Sequence, residues 1–186
     1  YYLLSFIYLN LLQNTKFMTR LGFVTCVELG LRCIEEIYRL NYKIDLIITL
    51  NDDLAKKKSG RIFLDQFCNS KNIPLLKVNH INELSTIEEI KRFKLDWLFI
   101  IGWSQIANKT LLEIPKFGVL GMHPSLLPVG RGRASIPNAI LKSLDFTGVT
   151  FFKLVEEVDA GPILSQVRIA MSASIDAKEL YEKTQN

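Results

Sequence analysis

LGFVTCVELGLRCIEEIYRLNYKIDLIITL, residues Leu21 to Leu50, reads as strand, helix, strand, and this reading decides the fold. A strand covered on both faces is apolar along its whole length rather than at alternate positions, and LGFVTC and DLIITL (Asp45 to Leu50) both have that character. Between them, Leu31, Ile34, Ile37, Tyr38 and Leu40 recur at the spacing that gathers side chains on one helical face, so the spacing predicts a helix over Leu29 to Asn41. A buried strand, a crossover helix and a second buried strand form the parallel unit of α/β proteins.

The alternation continues outward. The loop NDDLAKKKSG (Asn51 to Gly60) precedes a helix through Phe63, Leu64 and Phe67, then the strand IPLLKV, a helix around Ile87 to Phe93, and the strand DWLFIIG. Three successive strand-helix turns predict a Rossmann-like α/β fold with a mostly parallel sheet flanked by helices. The second half differs: VLGMH is a strand, Pro124 to Arg133 a loop rich in Pro, Gly and Arg, and Pro137 to Leu144 a helix. GVTFFKLV and ILSQVRIAM then form a strand pair around EEVDAG, and a last helix starts near Asp176, capped by Ser174 or Asp176. With no internal repeat, low-complexity tract or linker, one domain is expected.

Composition narrows the function classes. The chain has 186 residues, 48% hydrophobic, enough to bury a substantial core. The net charge of +4 is small and scattered, which argues against a nucleic-acid partner but leaves an anionic small ligand open. Cys26, Cys33 and Cys68 show no CxxC spacing and stand beside no histidine cluster, so neither a disulfide framework nor a metal site is expected, and a reducing, cytoplasmic location fits. The apolar run YYLLSFIYLNLL is shorter than the roughly 20 residues that span a bilayer and lacks a basic flank, so no membrane partner is expected. Met18 reads as a natural start, with residues 1–17 an accessory or upstream-encoded segment and 18–186 the domain.

Open α/β sheets bind ligands outside the carboxyl ends of their strands. That rule selects the loops Thr25 to Gly30, Asn51 to Gly60, Gly102 to Ala107, Gly121 to Arg133 and Val158 to Gly161. The first, TCVELG, has neither GxGxxG nor GxxxxGK[ST], which disfavours dinucleotide enzymes and nucleoside triphosphatases. His123 ends an apolar strand where an imidazole can exchange protons with a ligand, although a lone histidine there serves more often as a structural hydrogen-bonder. Asp159 stands in VDAG, a constrained turn, and its bland reading is a turn-forming aspartate. If the two meet, the carboxylate orients the ring and favours its charged form. Lys56, Lys57, Lys58 and Arg61, and separately Arg131 with Arg133, are candidate phosphate grips or solvated basic faces. Trp97 and Phe99 read as core, Trp103 as a ligand-site side chain, and His80 is given no role.

HPSLLPVGRG (His123 to Gly132), then Ala139 and Ile140, GVT (Gly148 to Thr150), VDAGPIL and Gln166 together resemble the folate-dependent formyltransferase family. That family includes glycinamide ribonucleotide transformylase, methionyl-tRNA formyltransferase and the sugar N-formyltransferases. The resemblance covers roughly Leu21 to Lys183, and IIGWSQI (Ile100 to Ile106) is similar to the family's folate-contacting loop. It implies transfer of a formyl group from N10-formyltetrahydrofolate to a primary amine without a metal, with His123 and Asp159 catalytic. It implies folate contacts from Trp103, Ser104, Gln105, Ile106, Ala107, Val158, Ala160 and Gly161, and Lys57, Arg61, Ser125 and Arg131 are candidates for the acceptor.

One position departs from the pattern: Gly121 stands where the family carries an Asn. Losing one donor aimed at an oxyanion costs about a hundredfold to a thousandfold in rate. Three accounts stay open: Gln105, Ser104 or Asn138 supplies the donor, protonated His123 does most of the work, or the domain is catalytically weak. On the first two, Gly121→Asn leaves activity unchanged or raises it. The acceptor that best fits the resemblance is a nucleotide-linked amino sugar, the character of the sugar N-formyltransferases, because the methionyl-tRNA branch carries a further carboxyl-terminal domain. Water as nucleophile (a formyltetrahydrofolate hydrolase), a methionyl-tRNA formyltransferase-like enzyme, and a non-catalytic folate- or sugar-nucleotide-binding domain are the alternatives. A homodimer, and a native chain continuing past Asn186, are compatible with all of them.

Overall fold

The computed structural model describes residues 19–56 and 60–185. The readings made for the apolar run Tyr1 to Leu12, for Met18 as a start and for Lys57 lie outside those residues.

The chain builds one seven-stranded sheet from β1 (Leu21–Val24), β2 (Leu46–Leu50), β3 (Leu75–Val78), β4 (Trp97–Ile100), β5 (Gly118–His123), β6 (Phe146–Lys153) and β7 (Ile163–Ala170). The helices are α1 (Glu28–Arg39), α2 (Asp52–Ala55), α3 (Asp65–Lys71), α4 (Leu84–Arg92), α5 (Lys109–Leu112), α6 (Ser135–Leu141) and α7 (Ala177–Gln185). Strand order is β3-β2-β1-β4-β5-β6-β7. The five strands from β3 to β5 pair in parallel, while β6 runs antiparallel to β5 and β7 antiparallel to β6. The expected mostly parallel sheet, and the closing strand pair, are therefore both present. Order reverses between β1 and β4, which opens a crevice outside their carboxyl ends.

Burial explains why the parallel strands are uniformly apolar. β1 and β2 are buried at every residue, because α1 and α3 cover one face of the sheet and α4 and α5 the other. On the first face, Phe23, Phe99 and Phe151 form a row across β1, β4 and β6, with ring centroids 5.7 and 6.3 Å apart. Ile34 and Ile37 of α1 and Cys68 of α3 pack in the same cluster, where burial pushes the Cys68 thiol up to about 11 and leaves it a neutral packing group. Ile90 of α4 and Leu111 of α5 complete the opposite layer against Leu98, Ile100 and Val119.

Local departures from the sequence reading have tertiary causes. The helix expected through Phe63 starts only at Asp65, because Arg61 bridges to Val27 and the Ile62 amide donates to the Cys26 carbonyl, holding Arg61 and Ile62 against the start of α1. Phe63 is left 60% exposed, with the Arg61 guanidinium 4.6 Å above its ring. α6 begins at Ser135 rather than Pro137 and stops at Leu141, after which Ser143 turns into the left-handed region. Asp176, not Ser174, caps α7, accepting the Glu179 amide at 2.8 Å. Trp97 is half-buried against Phe117 and Phe99 fully buried, which agrees with their reading as core. α2 and α5 are four-residue helices, too short to show a periodicity.

Asp52 accepts Lys77 at 2.9 Å and Arg61 at 3.1 Å, and Lys77 also reaches Asp65 at 2.8 Å. The Lys77 hydrogen bond, above all, holds the Asp52 carboxyl below its usual range, so this tie of β3 to the loop after β2 weakens as pH falls through that lowered value.

Two phenylalanines separated only by their surroundings test the packing. Phe99→Ala, in the stacked row, is expected to cost about 3–5 kcal/mol of unfolding free energy, and exposed Phe63→Ala about 1 kcal/mol or less. Urea denaturation measures both, and equal losses would contradict this account of the core.

Candidate functional site

β5 delivers His123 to the carboxyl edge of the sheet, and the chain that follows is fixed by one side chain of β6. Thr150, opposite His123 in the register and wholly buried, donates its hydroxyl to the Ser125 carbonyl at 2.6 Å. It accepts the Leu127 amide at 3.0 Å and the Gln166 side-chain amide at 2.9 Å, and Gln166 also donates to the Leu127 carbonyl at 2.8 Å. The GVT motif and Gln166 thus hold HPSLLP in place. Ser125, considered for acceptor binding, is buried instead and donates to the Val129 carbonyl at 2.7 Å, closing the same loop.

His123 and Asp159 meet. The ring Nδ1 lies 3.5 Å from Asp159 Oδ2, with the two side chains 11% and 16% exposed. Nε2–H donates to the Gly130 carbonyl at 2.8 Å, and Asp159 Oδ2 accepts the Gly132 amide at 2.8 Å. When the ring is charged, each of its N–H groups faces an acceptor. Asp159 has φ 52°, in the left-handed region that aspartate tolerates better than most side chains, and this turns its carboxylate toward the histidine. Two residues on, a Cβ at Gly161 would lie 1.7 Å from the Lys153 carbonyl oxygen, so only glycine lets the β6–β7 connection close. VDAG is a turn and a site at once.

These residues border a cavity of about 930 Å³, within the range of small-molecule sites. The loop after β4 contributes Trp103, Ser104, Gln105, Ile106 and Ala107, and the loop after β6 contributes Val158, as the resemblance implied. Ala160 and Gly161 do not line it; they lie in the turn behind. Gly102 starts the β4 loop at φ 66°, and Trp103 packs over Cys26 and Leu50 at the crevice between β1 and β4. Gln105 accepts the Ile81 amide and donates to the Asn79 carbonyl, each at 2.8 Å. Asn82 accepts the Asn108 amide at 3.0 Å and donates to the Ile106 carbonyl at 2.8 Å. The loop after β3 is thereby stitched to the loop after β4.

The cationic candidates fare differently. Arg61 has a side chain only 7% exposed, is pinned to Asp52, and does not line the cavity. Arg131 points away and pairs with Glu157 at 3.2 Å. Its neighbour Arg133, considered with it as a phosphate grip, lines the cavity instead, as do His80, Asn82 and Glu156, which were given no role from the sequence. The strand-end rule was the available signal for His80 and Asn82, which follow β3; for Arg133 against Arg131 the sequence offered none.

Gly121 also lines the cavity, and the space that a side chain would occupy there is filled. A Cβ at 121 would meet Leu154 Cδ2 at 2.6 Å and Cγ at 3.1 Å. Of the three donors considered in its place, Gln105 has both ends of its amide engaged. Asn138 donates to the Arg133 carbonyl at 3.5 Å and does not line the cavity, whereas Ser104 does.

Residues 39–186 match the family described as formyl transferase. A methionyl-tRNA formyltransferase of Clostridioides difficile (strain 630) is 30% identical over 169 residues, covering 90% of this chain and 55% of the relative. The bifunctional polymyxin resistance protein ArnA of Wigglesworthia glossinidia brevipalpis is 31% identical over 155 residues, 83% of this chain and 23% of its own length. The chain thus spans about half or less of these relatives. Among solved structures, phosphoribosylglycinamide formyltransferase from Bacillus halodurans superposes with a TM-score of 0.75 at 22% identity, covering 90% of this chain and 88% of that one, which shows a common fold.

Leu154 adds a packing cost to Gly121→Asn: its side chain must shift to admit a Cβ, and the substitution is expected to cost about 1–3 kcal/mol of stability. In a double-mutant cycle with Leu154→Ala the two changes should couple by about 1 kcal/mol or more, measured by thermal unfolding. A coupling indistinguishable from zero would show that Leu154 moves aside freely.

Proposed function

The chain belongs to the formyl transferase family, and from that membership we propose that it moves the formyl group of N10-formyltetrahydrofolate onto a primary amine, that of a nucleotide-linked amino sugar. The observation that carries the reading is the His123–Asp159 contact of 3.5 Å in the wall of a ligand-sized cavity at the carboxyl edge of the sheet.

The reaction asks three things of these residues. The amine nitrogen bonds to the formyl carbon while the carbon–N10 bond breaks, and the proton lost by the amine ends on N10. His123, oriented by Asp159, supplies positive charge near the carbonyl oxygen as it becomes negative and exchanges the proton in transit. Asp159 is itself fixed by the Gly132 amide, so the pair is held in geometry before substrate arrives.

The donor fits the rest of the cavity. Ile106 is 65% and Val158 47% exposed, apolar side chains facing each other's loops across an open site, and they suit the flat ring system of a pterin. Trp103 lends a further apolar wall, and backbone groups of residues 103–107, held rigid by Gln105 and Asn82, are available to its polar edge. For the acceptor, the exposed Arg133 lends the cavity a positive charge that draws in a small anionic amine. A second reading, methionyl-tRNA as acceptor, is favoured by the relatives that carry that name.

The test incubates the chain with N10-formyltetrahydrofolate and, separately, nucleotide-linked amino sugars, glycinamide ribonucleotide and methionyl-tRNA. Wild type is expected to formylate an amino sugar, while His123→Ala and Asp159→Asn each lose about a hundredfold or more in kcat with folate binding nearly unchanged. Formylation of tRNA alone would move the acceptor assignment, formate release without any acceptor would make water the nucleophile, and transfer undiminished in His123→Ala would sink the mechanism.

A further inference from the structure

Formyl transfer, which the following rests on, needs a positive or hydrogen-donating group at the oxygen that becomes negative, and position 121 provides none. We propose that the guanidinium of Arg133 is the catalytic group that takes this role, in place of an amide side chain at position 121.

Placement is the first ground. The Gly132 amide is 2.8 Å from Asp159 Oδ2, which is 3.5 Å from the His123 ring. Arg133 is the next residue, its Cα about 3.8 Å from that of Gly132 across one trans peptide. It lines the same cavity as Gly121, His123 and Asp159. A guanidinium rooted there reaches the reacting centre.

The second ground is availability. Arg131 is committed to Glu157 at 3.2 Å, whereas among the described residues Arg133 enters no ion pair. Its main chain is nonetheless fixed: the Arg133 carbonyl accepts the Asn138 side chain at 3.5 Å, the Ala134 carbonyl accepts the Asn138 amide at 3.0 Å, and Ala134 is held at φ 59°. A left-handed alanine is strained, and such residues persist where surrounding structure imposes them, characteristically beside sites. The narrowed field is the third ground. Leu154 fills the volume at 121, Gln105 is hydrogen-bonded at both ends, and Asn138 lies outside the cavity, which leaves the neutral hydroxyl of Ser104 beside the charged fork of Arg133, the stronger donor to an anionic oxygen.

The chemistry suits an arginine. Its guanidinium stays charged through the working pH range and presents several N–H donors in a planar fork, so one or two of them meet a single oxygen as charge develops. No proton moves to or from it: the amine still bonds to the formyl carbon, the carbon–N10 bond still breaks, and the proton still passes to N10. His123 then shares the charge at the oxygen with Arg133 and, with Asp159, keeps the handling of that proton.

Transfer from N10-formyltetrahydrofolate is measured in the full chain with a uridine diphosphate-linked amino sugar and with hydroxylamine, a small amine without phosphate. Arg133→Ala should lower kcat about a hundredfold to a thousandfold with both acceptors, the KM for the folate changing less than about threefold. Added guanidinium ion should restore part of the rate to Arg133→Ala, and Arg133→Lys should keep more of it. The melting temperature should stay within about 2 °C of wild type, since the side chain is exposed. A rise confined to the KM of the phosphate-bearing acceptor would make Arg133 an anchor and overturn the proposal, as would an unchanged kcat. Wild type inactive toward both amines and toward the other acceptors overturns formyl transfer itself; an active wild type with an indifferent Arg133→Ala overturns this role alone.

Discussion

Thr150 has a single hydroxyl and no exposed surface, and three stretches of chain converge on it: the Ser125 carbonyl, the Leu127 amide and the Gln166 side chain. A buried hydroxyl left unpaired costs free energy, whereas this one uses its proton and both lone pairs. Because Thr150 sits opposite His123 in the β5–β6 register, the knot ties the loop after β5 to β6 and β7 directly beneath the histidine. The antiparallel half of the sheet therefore does what parallel strands alone cannot. It brings a strand back past the end of β5 and gives the loop there something rigid to hold.

From that anchor the site follows by short steps. The loop continues to Gly130, whose carbonyl takes the His123 Nε2 proton, and to Gly132, whose amide meets Asp159. Asp159 arrives from the other side on a turn made possible by its own left-handed backbone and by the missing Cβ of Gly161. Across the cavity, the loop after β4 has no strand of its own to lean on and is stabilised by Gln105 and Asn82, which bridge it to the loop after β3. The two walls are held by different means, one by sheet register and the other by side-chain amides.

Gly121 shows how a changed residue is absorbed. A strand glycine beside a cavity leaves room for a neighbour, and at Gly121 the Leu154 side chain occupies it. The space that an amide side chain would need at 121 is thus apolar and occupied, so on the proposed reaction a donor has to come from elsewhere in the cavity. The family membership fixes the class of reaction this domain is proposed to perform, and the cavity wall determines which groups are present to perform it.

The sequence by itself determined the sheet, most of the helices and the His123–Asp159 pair. Apolar runs, helical spacing and strand-end position are local properties, and Phe23, Ile48 and Phe99 are buried wherever a doubly covered strand places them. Three of the loops that meet at the cavity, after β4, β5 and β6, were legible because carboxyl ends of parallel strands open on one edge, whereas the loop after β3 was passed over and Thr25 to Gly30 and Asn51 to Gly60, selected by the same rule, do not line it. Only the tertiary structure decided which side chains on those loops face inward. Arg131 and Arg133 differ because Glu157, on another loop, captures one of them. Gln105 is tied down by residues 79 and 81, Arg61 is sequestered by Asp52, and Leu154 closes over Gly121. In each case the deciding partner is remote along the chain or on a neighbouring strand, and a side chain's direction in irregular backbone is set by such partners rather than by the residues beside it.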